Sequence, residues 1–411
     1  MNSITTIKLK WISVPRKTIE PCDMQTGDIE LWSIPDYDKG MPSITRREDI
    51  GSSKKIVYPG DILLSKIVPH IRRAWIVDAR SNLPKYASTE WLTFNSNKVL
   101  PAYLRYVFLT DEFNKQMQLN SSGMGSLRRS NPEKIGNISI PLPTLEMQKA
   151  IASKLDERSE KIKKLIKIKD EVLSKLLDYR KSLITHAVTN GLNPDVRMID
   201  SGVHDFDIPE HWTCTSLWQV IHKIGDVDHY MPKDANKGDS SVPYVMTRNL
   251  APLASQIDFD SCKQISKEDF LQLSKKITAT KGDVILARYA TVGTSCFVDV
   301  IKDFVPSYSC VIIKPQKKVL GTFINYFFNS SLFSYQARLL SRTNTQDNLG
   351  IETIQKIKIA FPPINEQEEI VEHLDKKCGV IHKAEISIEN EISALKEYQS
   401  NLISSFISAS C

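Results

Sequence analysis

The feature that most limits what this chain can fold into is a duplication of long period. Lys98-Val99-Leu100 recurs as Lys318-Val319-Leu320, and Leu104-Arg105-Tyr106-Val107-Phe108 recurs as Ile324-Asn325-Tyr326-Phe327-Phe328, both 220 positions apart. Phe113 and Gln116 match Phe333 and Gln336 at that offset. After a one-residue slip to 219, Gln148-x-x-Ile151 matches Gln367-x-x-Ile370, and Leu155-Asp156 matches Leu374-Asp375. Tyr179-x-x-x-Leu183-Ile184 matches Tyr398-x-x-x-Leu402-Ile403 in the same way. Upstream, Gly60-Asp61-Ile62-Leu63-Leu64-Ser65-Lys66 parallels Gly282-Asp283-Val284-Ile285-Leu286-Ala287-Arg288. A period this long is a domain duplication, not a solenoid. In 411 residues it predicts two globular units, each followed by a helix.

Each repeat ends in a long amphipathic stretch. Thr144 can cap the first helix after Pro141-Leu142-Pro143, and from Glu146 to about Ala187 there is no Pro or Gly. Positions 155, 158, 162, 165, 169, 172, 176, 179 and 183 alternate steps of three and four, and seven of the nine are apolar. That is a heptad seam. The matching positions of the second helix are Leu374, Lys377, Ile381, Ala384, Ile388, Glu391, Leu395, Tyr398 and Leu402; Gly379 interrupts it at a cost of about 1 kcal/mol. Leu155, Ile162, Leu176 and Leu183, with Leu374, Ile381, Leu395 and Leu402, are the expected seam residues. Forty helical residues span about 60 Å, and such a seam needs a partner. From Glu146 to His186 eleven Lys/Arg face seven Asp/Glu, a net of +4; from Asn365 to Tyr398 four Lys face nine Asp/Glu, a net of −5. The helices attract each other and repel copies of themselves. The reading is one intramolecular coiled coil; if antiparallel, it puts the globular units at opposite ends. Two unrelated helices, each packed on its own domain, are the alternative. Asn190-Gly191 is a helix stop and Asn193-Pro194 a turn, so the expected segments are 1–143, a long helix 144–190, a linker 191–208, a second unit 209–362 and a second long helix 363–411.

The globular units read as mixed α/β with short strands at Ile62-Leu63-Leu64, Trp75-Ile76-Val77, Val284-Ile285-Leu286 and Val311-Ile312-Ile313. The net charge is +6, and removing the helices (+4 − 5 = −1) leaves +7 on the remainder. The basic residues cluster at turns: Arg46-Arg47, Lys54-Lys55, Arg72-Arg73 and Arg128-Arg129, then Arg248, Lys275-Lys276, Lys281, Arg288, Arg338 and Arg342. Such groups hold phosphates, and Arg also reads guanine edges. Lys66 and Arg288 close the two Gly-Asp strands and are expected near DNA. Two polar loops, Ser121–Arg129 and Arg342–Leu349, precede the segment leading to each helix. In them Ser126, Thr345, Gln346 and Asn348 are candidate base or phosphate contacts, with an ordinary capping loop as the bland reading.

The remaining signals are exclusions. With 41% hydrophobic and 25% charged residues the chain is not disordered. No run of about 18 apolar residues predicts a transmembrane helix, and the first residues do not read as a signal peptide. The seven scattered cysteines show no CxxC, which predicts reduced thiols in a cytoplasmic protein and no metal site. There is no GxxxxGK[ST], HExxH or GxSxG, and no Asn-Pro-Pro-Tyr-like tetrapeptide for gripping a flipped adenine. Pro35-Asp36 could open a nuclease-type set, but no Glu-x-Lys follows nearby.

The duplicated unit, the Gly-Asp-Ile-Leu-Leu-Ser-Lys turn, Thr345-Gln346-x-Asn348-Leu349, the Pro-Leu-Pro and Pro-Pro-Ile leads with Gln148 and Gln367, and Ile208-Pro209-Glu210-His211-Trp212 together resemble the DNA-specificity subunit of type I restriction-modification systems. The resemblance covers nearly the whole chain. The first unit departs from it where Met124-Gly125-Ser126 replaces the Thr-Gln form. It implies an α+β chain with an internal pseudo-two-fold repeat: two target-recognition domains separated by a long two-helix antiparallel coiled coil. Each domain would read one half of a bipartite, asymmetric site in double-stranded DNA. It also implies no catalysis by this chain: two methyltransferase subunits and ATP-driven restriction subunits would supply adenine methylation, cleavage, and the S-adenosylmethionine, ATP and Mg²⁺ sites. A coiled-coil scaffold whose end domains bind protein, and a nuclease or single-chain modification enzyme, are the other classes.

Overall fold

A computed structural model of the chain describes residues 5–203, 206–235, 238, 241–251, 256–289, 293–340 and 349–409, without the side chains of Ser126, Ala251 and Gln256. Its contacts divide it into two compact units, Met1–Lys169 with Asn390–Cys411, and Asp170–Glu389. Each long helix is therefore shared between both units.

In the first unit a five-stranded sheet runs Thr18–Ile19, Lys54–Ile56, Lys85–Ser88, Asp28–Trp32, Ser43–Arg46, with one parallel pair between Asp28–Trp32 and Lys85–Ser88. A three-stranded sheet, Ala74–Ile76, Ile62–Ser65, Trp91–Phe94, packs on the helix pair Pro101–Leu109 and Asp111–Leu119. The second unit repeats this plan. Val284–Ala287 lies between Ser295–Phe297 and Cys310–Pro315, and Ile221–Gly225 extends that sheet beside Cys310–Pro315. Ser241–Val245 pairs parallel with Val305–Pro306. Even the register repeats: Ile62 faces Ile76 and Phe94, as Val284 faces Phe297 and Ile313. The duplicated helix pairs Gly321–Phe328 and Ser331–Leu340 stand where the first unit has its own. They are punctuated alike: Thr110 Oγ1 accepts from Phe113 N–H at 3.2 Å, and Ser330 Oγ from Phe333 N–H at 3.1 Å, each an N-cap for the second helix of the pair.

The Gly-Asp turns have a structural cause. Gly60 and Gly282 hold φ of 90° and 98°, which glycine adopts without strain. The following carboxylate is buried and closes the turn, Asp61 accepting from Tyr58 N–H at 3.0 Å and Asp283 from Thr280 N–H at 2.7 Å. Each carboxylate is matched by a cation, Arg16 and Lys314 respectively, as a buried charge requires.

The long helices run Leu145–Asn190 and Ile364–Ala409. In the first unit Leu155 and Ile162 share a core with Leu402, Ile403 and Ile407, while Lys169 pairs with Glu391. Numbers rise on one helix as they fall on the other, so the pairing is antiparallel. In the second unit Ile184, Ala187 and Val188 share a core with Ile370, Leu374 and Cys378, and Arg180 donates to Glu385 at 2.6 Å, again antiparallel. Cations stand on the first helix and carboxylates on the second, the sense expected from the charge count.

Every second position of the seam differs from the expected one. Leu155, Ile162, Leu374, Ile381 and Leu402 are buried, and Leu176, Leu183 and Leu395 half-buried. Leu165, Val172, Tyr179 and Tyr398, however, are exposed. Their places are taken by Ser159, Ile166, Leu173 and Arg180 on the first helix, and by Cys378, Glu385, Ile392 and Gln399 on the second. The order of the steps is four then three. Apolar content could not decide between the two orders, because Leu165-Ile166 and Val172-Leu173 are adjacent apolar pairs. Gly379 sits on the exposed side and the helix passes through it. The first helix stops at Gly191, φ 75°, against the Trp212 ring. His211 and Trp212 both bond Glu366 in the first turn of the second helix, at 2.7 and 3.0 Å. The stretch expected as a linker folds into a hairpin, Met198–Val203 with Phe206–Pro209.

Candidate nucleic-acid interface

In the first unit three of the expected basic residues converge. Lys66 ends its strand, and its carbonyl accepts from Ser130 N–H at 2.7 Å. This ties it to a two-residue-stranded hairpin, Ser121–Ser122 with Arg129–Ser130. Glu90 lies between Lys66 and Arg129, at 3.7 and 3.0 Å. Arg128 folds back across the hairpin, donating to Ser121 Oγ at 2.7 Å and to the Gln118 carbonyl at 3.0 Å. Ser126 lies in the helical turn Gly125–Leu127 at the hairpin tip.

Arg72 and Arg73 are instead turned inward. Arg72 donates to the Leu109 carbonyl and Ser400 Oγ and pairs with Asp111, so it fastens the loop after Lys66 to the cap of the second helix and to the second long helix. Burial works against charge on Asp111, yet the Arg72 guanidinium holds its carboxyl below the usual range. Arg73 is buried and forks onto both oxygens of Asp38 at 2.8 Å, and that bond lowers the Asp38 pKa.

The segment between these cations contains Val68, at φ 47°. A β-branched residue seldom adopts the left-handed region, and Val68 also precedes Pro69. Such strain costs on the order of 1–3 kcal/mol and persists only where surrounding contacts fix it. Here Val68 N–H donates to the Arg128 carbonyl at 2.8 Å and Ile67 bridges to Arg129. No sequence signal announces this conformation.

In the second unit Arg248 is exposed on the turn Thr247–Asn249. Arg288, the counterpart of Lys66, is buried, pairs with Asp226, and lies 3.5 Å from His229. His229 stacks on Tyr308 at 5.0 Å. No spacing in the sequence reveals this aromatic pair, which is formed by residues 79 positions apart. Arg342, Thr345, Gln346 and Asn348 lie outside the described residues, though Leu349 N–H donates to the Arg288 carbonyl at 3.0 Å and so anchors the end of that loop beside the strand. Asp36, the candidate nuclease carboxylate, accepts from Ser43 and sits buried in the first turn of a short helix capped by Ser33. Among the described residues no group of His, Cys, Asp and Glu could hold a metal ion, and no helix is long and apolar enough to cross a membrane.

A duplicated α+β unit, each copy carrying a basic strand end and packed on its share of an antiparallel helix pair, defines a class that known proteins share. The family described as type I restriction modification DNA specificity domain matches residues 12–174 and again 209–394, and the chain belongs to that family. Its members are the non-catalytic specificity subunits of type I systems. The chain is 19% identical over 270 residues to the type I restriction enzyme EcoBI specificity subunit of Escherichia coli, covering 64% of this chain and 56% of that one. It is 25% identical over 285 residues to the type I restriction enzyme MjaVIII specificity subunit of Methanocaldococcus jannaschii, covering 68% and 64%. The matches thus span less than two thirds of either relative. A chain from a structure addressing complex assembly and conformational transition of the type I R-M system superposes with a TM-score of 0.70 at 15% identity, over 99% of this chain and 98% of that one, a likeness of fold.

Proposed function

We propose that this chain is the specificity subunit that selects the DNA target of a type I restriction-modification complex, each globular unit reading one half of a bipartite, asymmetric site. One observation carries the reading: the same sheet, register and helix caps recur in both halves, with different side chains at the equivalent strand ends and loops. The recognition domains are 1–143 and 209–362, the segments 144–190 and 363–411 are the helices between them, and 191–208 joins them. Lys66, Ser126, Arg128 and Arg129 face DNA from the first domain; Arg72 and Arg73 complete its DNA-binding set, each held by a carboxylate partner. Arg248, Arg288, Arg342, Thr345, Gln346 and Asn348 do so from the second. Two methyltransferase subunits dock on the chain, and restriction subunits complete the assembly in the cytoplasm. S-adenosylmethionine, ATP and Mg²⁺ belong to those partners.

The test is an exchange of residues 209–362 for those of another family member, followed by methylome sequencing of cells that also express the methyltransferase. One half of the methylated motif should change and the other stay. A change in both halves would sink the modular reading; methylation that ignores the exchange would favour a protein-binding scaffold.

A further inference from the structure

The hairpin at Ser121–Ser130 carries a feature that phosphate contacts do not explain. Its tip is apolar: Met124 is 87% and Leu127 79% exposed, among the most exposed large apolar side chains among the described residues. Single exposed apolar residues are ordinary. These two share a tip that is held stiff. Leu127 N–H donates to the Met124 carbonyl at 3.1 Å and Arg128 N–H to the Gly125 carbonyl at 3.3 Å. Gly123, at φ 93°, packs so closely that a Cβ would lie 2.7 Å from the Leu127 carbonyl oxygen. The base is fixed by the Arg128 bonds and by Val68, held at positive φ against the hairpin. Lys66, Arg128 and Arg129 are anchored in that base, where Glu90 offsets one of their three charges and leaves the base net positive. A rigid apolar point on a cationic base matches duplex DNA, whose phosphates flank an apolar stack of bases.

We propose that Met124 and Leu127 form a wedge that enters the first half-site between two base pairs and unstacks that step, while Lys66, Arg128 and Arg129 hold the flanking phosphates. Apolar side chains that part base steps bend the duplex and let it contact more of the protein. The wedge makes the first half-site sensitive to the deformability of a step it does not read by hydrogen bonds. This inference rests on the proposed DNA-reading function.

The experiment uses the full chain assembled with its methyltransferase subunits, and duplexes bearing the motif mapped by methylome sequencing. 2-Aminopurine is placed in turn at each step of the first half-site. Apart from the methylated adenine, which the methyltransferase flips in either assembly, the parent should raise fluorescence at one step, and Met124→Ala/Leu127→Ala should return that step to the level of free duplex while lowering affinity roughly tenfold. A mismatch at that step, which loosens the stack in advance, should tighten binding by the parent but not by the variant. Met41→Ala, another exposed apolar position of the same unit, should behave as the parent. If the parent binds the motif and fluorescence is the same for parent and variant at every step, the wedge is wrong and the DNA-reading function stands. Loss of the methyltransferase from the variant on gel filtration would also overturn it, making the tip a protein contact. A parent assembly that does not bind the motif overturns both.

Discussion

Gly321 shows how closely the second unit is packed around its duplicated turn. A Cβ there would lie 2.5 Å from the Gly282 carbonyl oxygen and 2.8 Å from the Phe297 ring. The backbone oxygen cannot move without opening the Gly-Asp turn. The matching position of the first unit is Pro101, which opens its helix without needing an N–H, so only the second repeat needs the missing side chain. Gly321→Ala is expected to destabilise the chain by about 2 kcal/mol or more, the cost of overpacking a filled site. Urea unfolding followed by circular dichroism measures it, and a midpoint equal to the parent's would rule out the close approach. Residue-scale roles were legible where a local rule dictates them, as with Gly60-Asp61 and Gly282-Asp283, or Asn190-Gly191. They were not where distant contacts decide: Val68 owes its conformation to Arg128, and Arg73 and Arg288 owe theirs to Asp38 and Asp226.

At the scale of elements, the repeated glutamine explains why each globular unit is fixed to its long helix. Gln148 Oε1 accepts from Leu100 N–H at 2.8 Å, and its Nε2 donates to the carbonyls of Lys98 and Pro143 at 3.0 and 2.8 Å. Gln367 makes the same three bonds, to Leu320, Lys318 and Pro362, at 2.8, 3.0 and 2.8 Å. Both side chains are buried, so each amide meets these backbone groups away from water. A second repeated bond lies about two turns further on, Tyr106 to Asp156 at 2.7 Å and Tyr326 to Asp375 at 2.5 Å. Burial, and then that bond, raise the pKa of both tyrosines. Gln148→Leu strands one buried N–H and two carbonyls, at about 1–3 kcal/mol for each group left unsatisfied. Hydrogen exchange should then rise in the peptide spanning Leu100 while the peptide spanning Leu320 stays protected; Gln367→Leu should do the reverse. Equal exchange changes in both peptides for either variant would show that the clamps do not act within their own repeat. The elements themselves were readable, because a 46-residue helix and a duplicated strand pattern leave a long-range signature. The seam order was not. Adjacent apolar pairs satisfy both step orders, and only the fold distinguishes them: Ile166 packs on the core that holds Leu402, while Leu165 and Val172 are exposed.

On the scale of the whole molecule, the proposed function makes the helix pair a ruler as well as a link. The division into compact units falls between Lys169 and Asp170 on one helix and between Glu389 and Asn390 on the other. Seven residues added at both points keep every seam position in register, since the buried stripe repeats every seven. The pair grows by about 10 Å, two helical turns at 1.5 Å per residue. That length corresponds to about three base pairs at roughly 3.4 Å each. The half-sites should stay the same, and the preferred unread gap between them should lengthen by about three base pairs. Methylation should also slow. One heptad turns the helix pair little, because the drift of a straight helix is only about 20° per heptad. Three base pairs turn the duplex by roughly 100°, at 10–10.5 base pairs per turn. Removing seven residues from each helix should shorten the gap by the same amount, with the same penalty. Methylome sequencing of cells carrying each length variant with the methyltransferase reads both the motif and the gap. A folded variant that modifies only the original spacing would show that the partner subunits, not these helices, set the distance between half-sites.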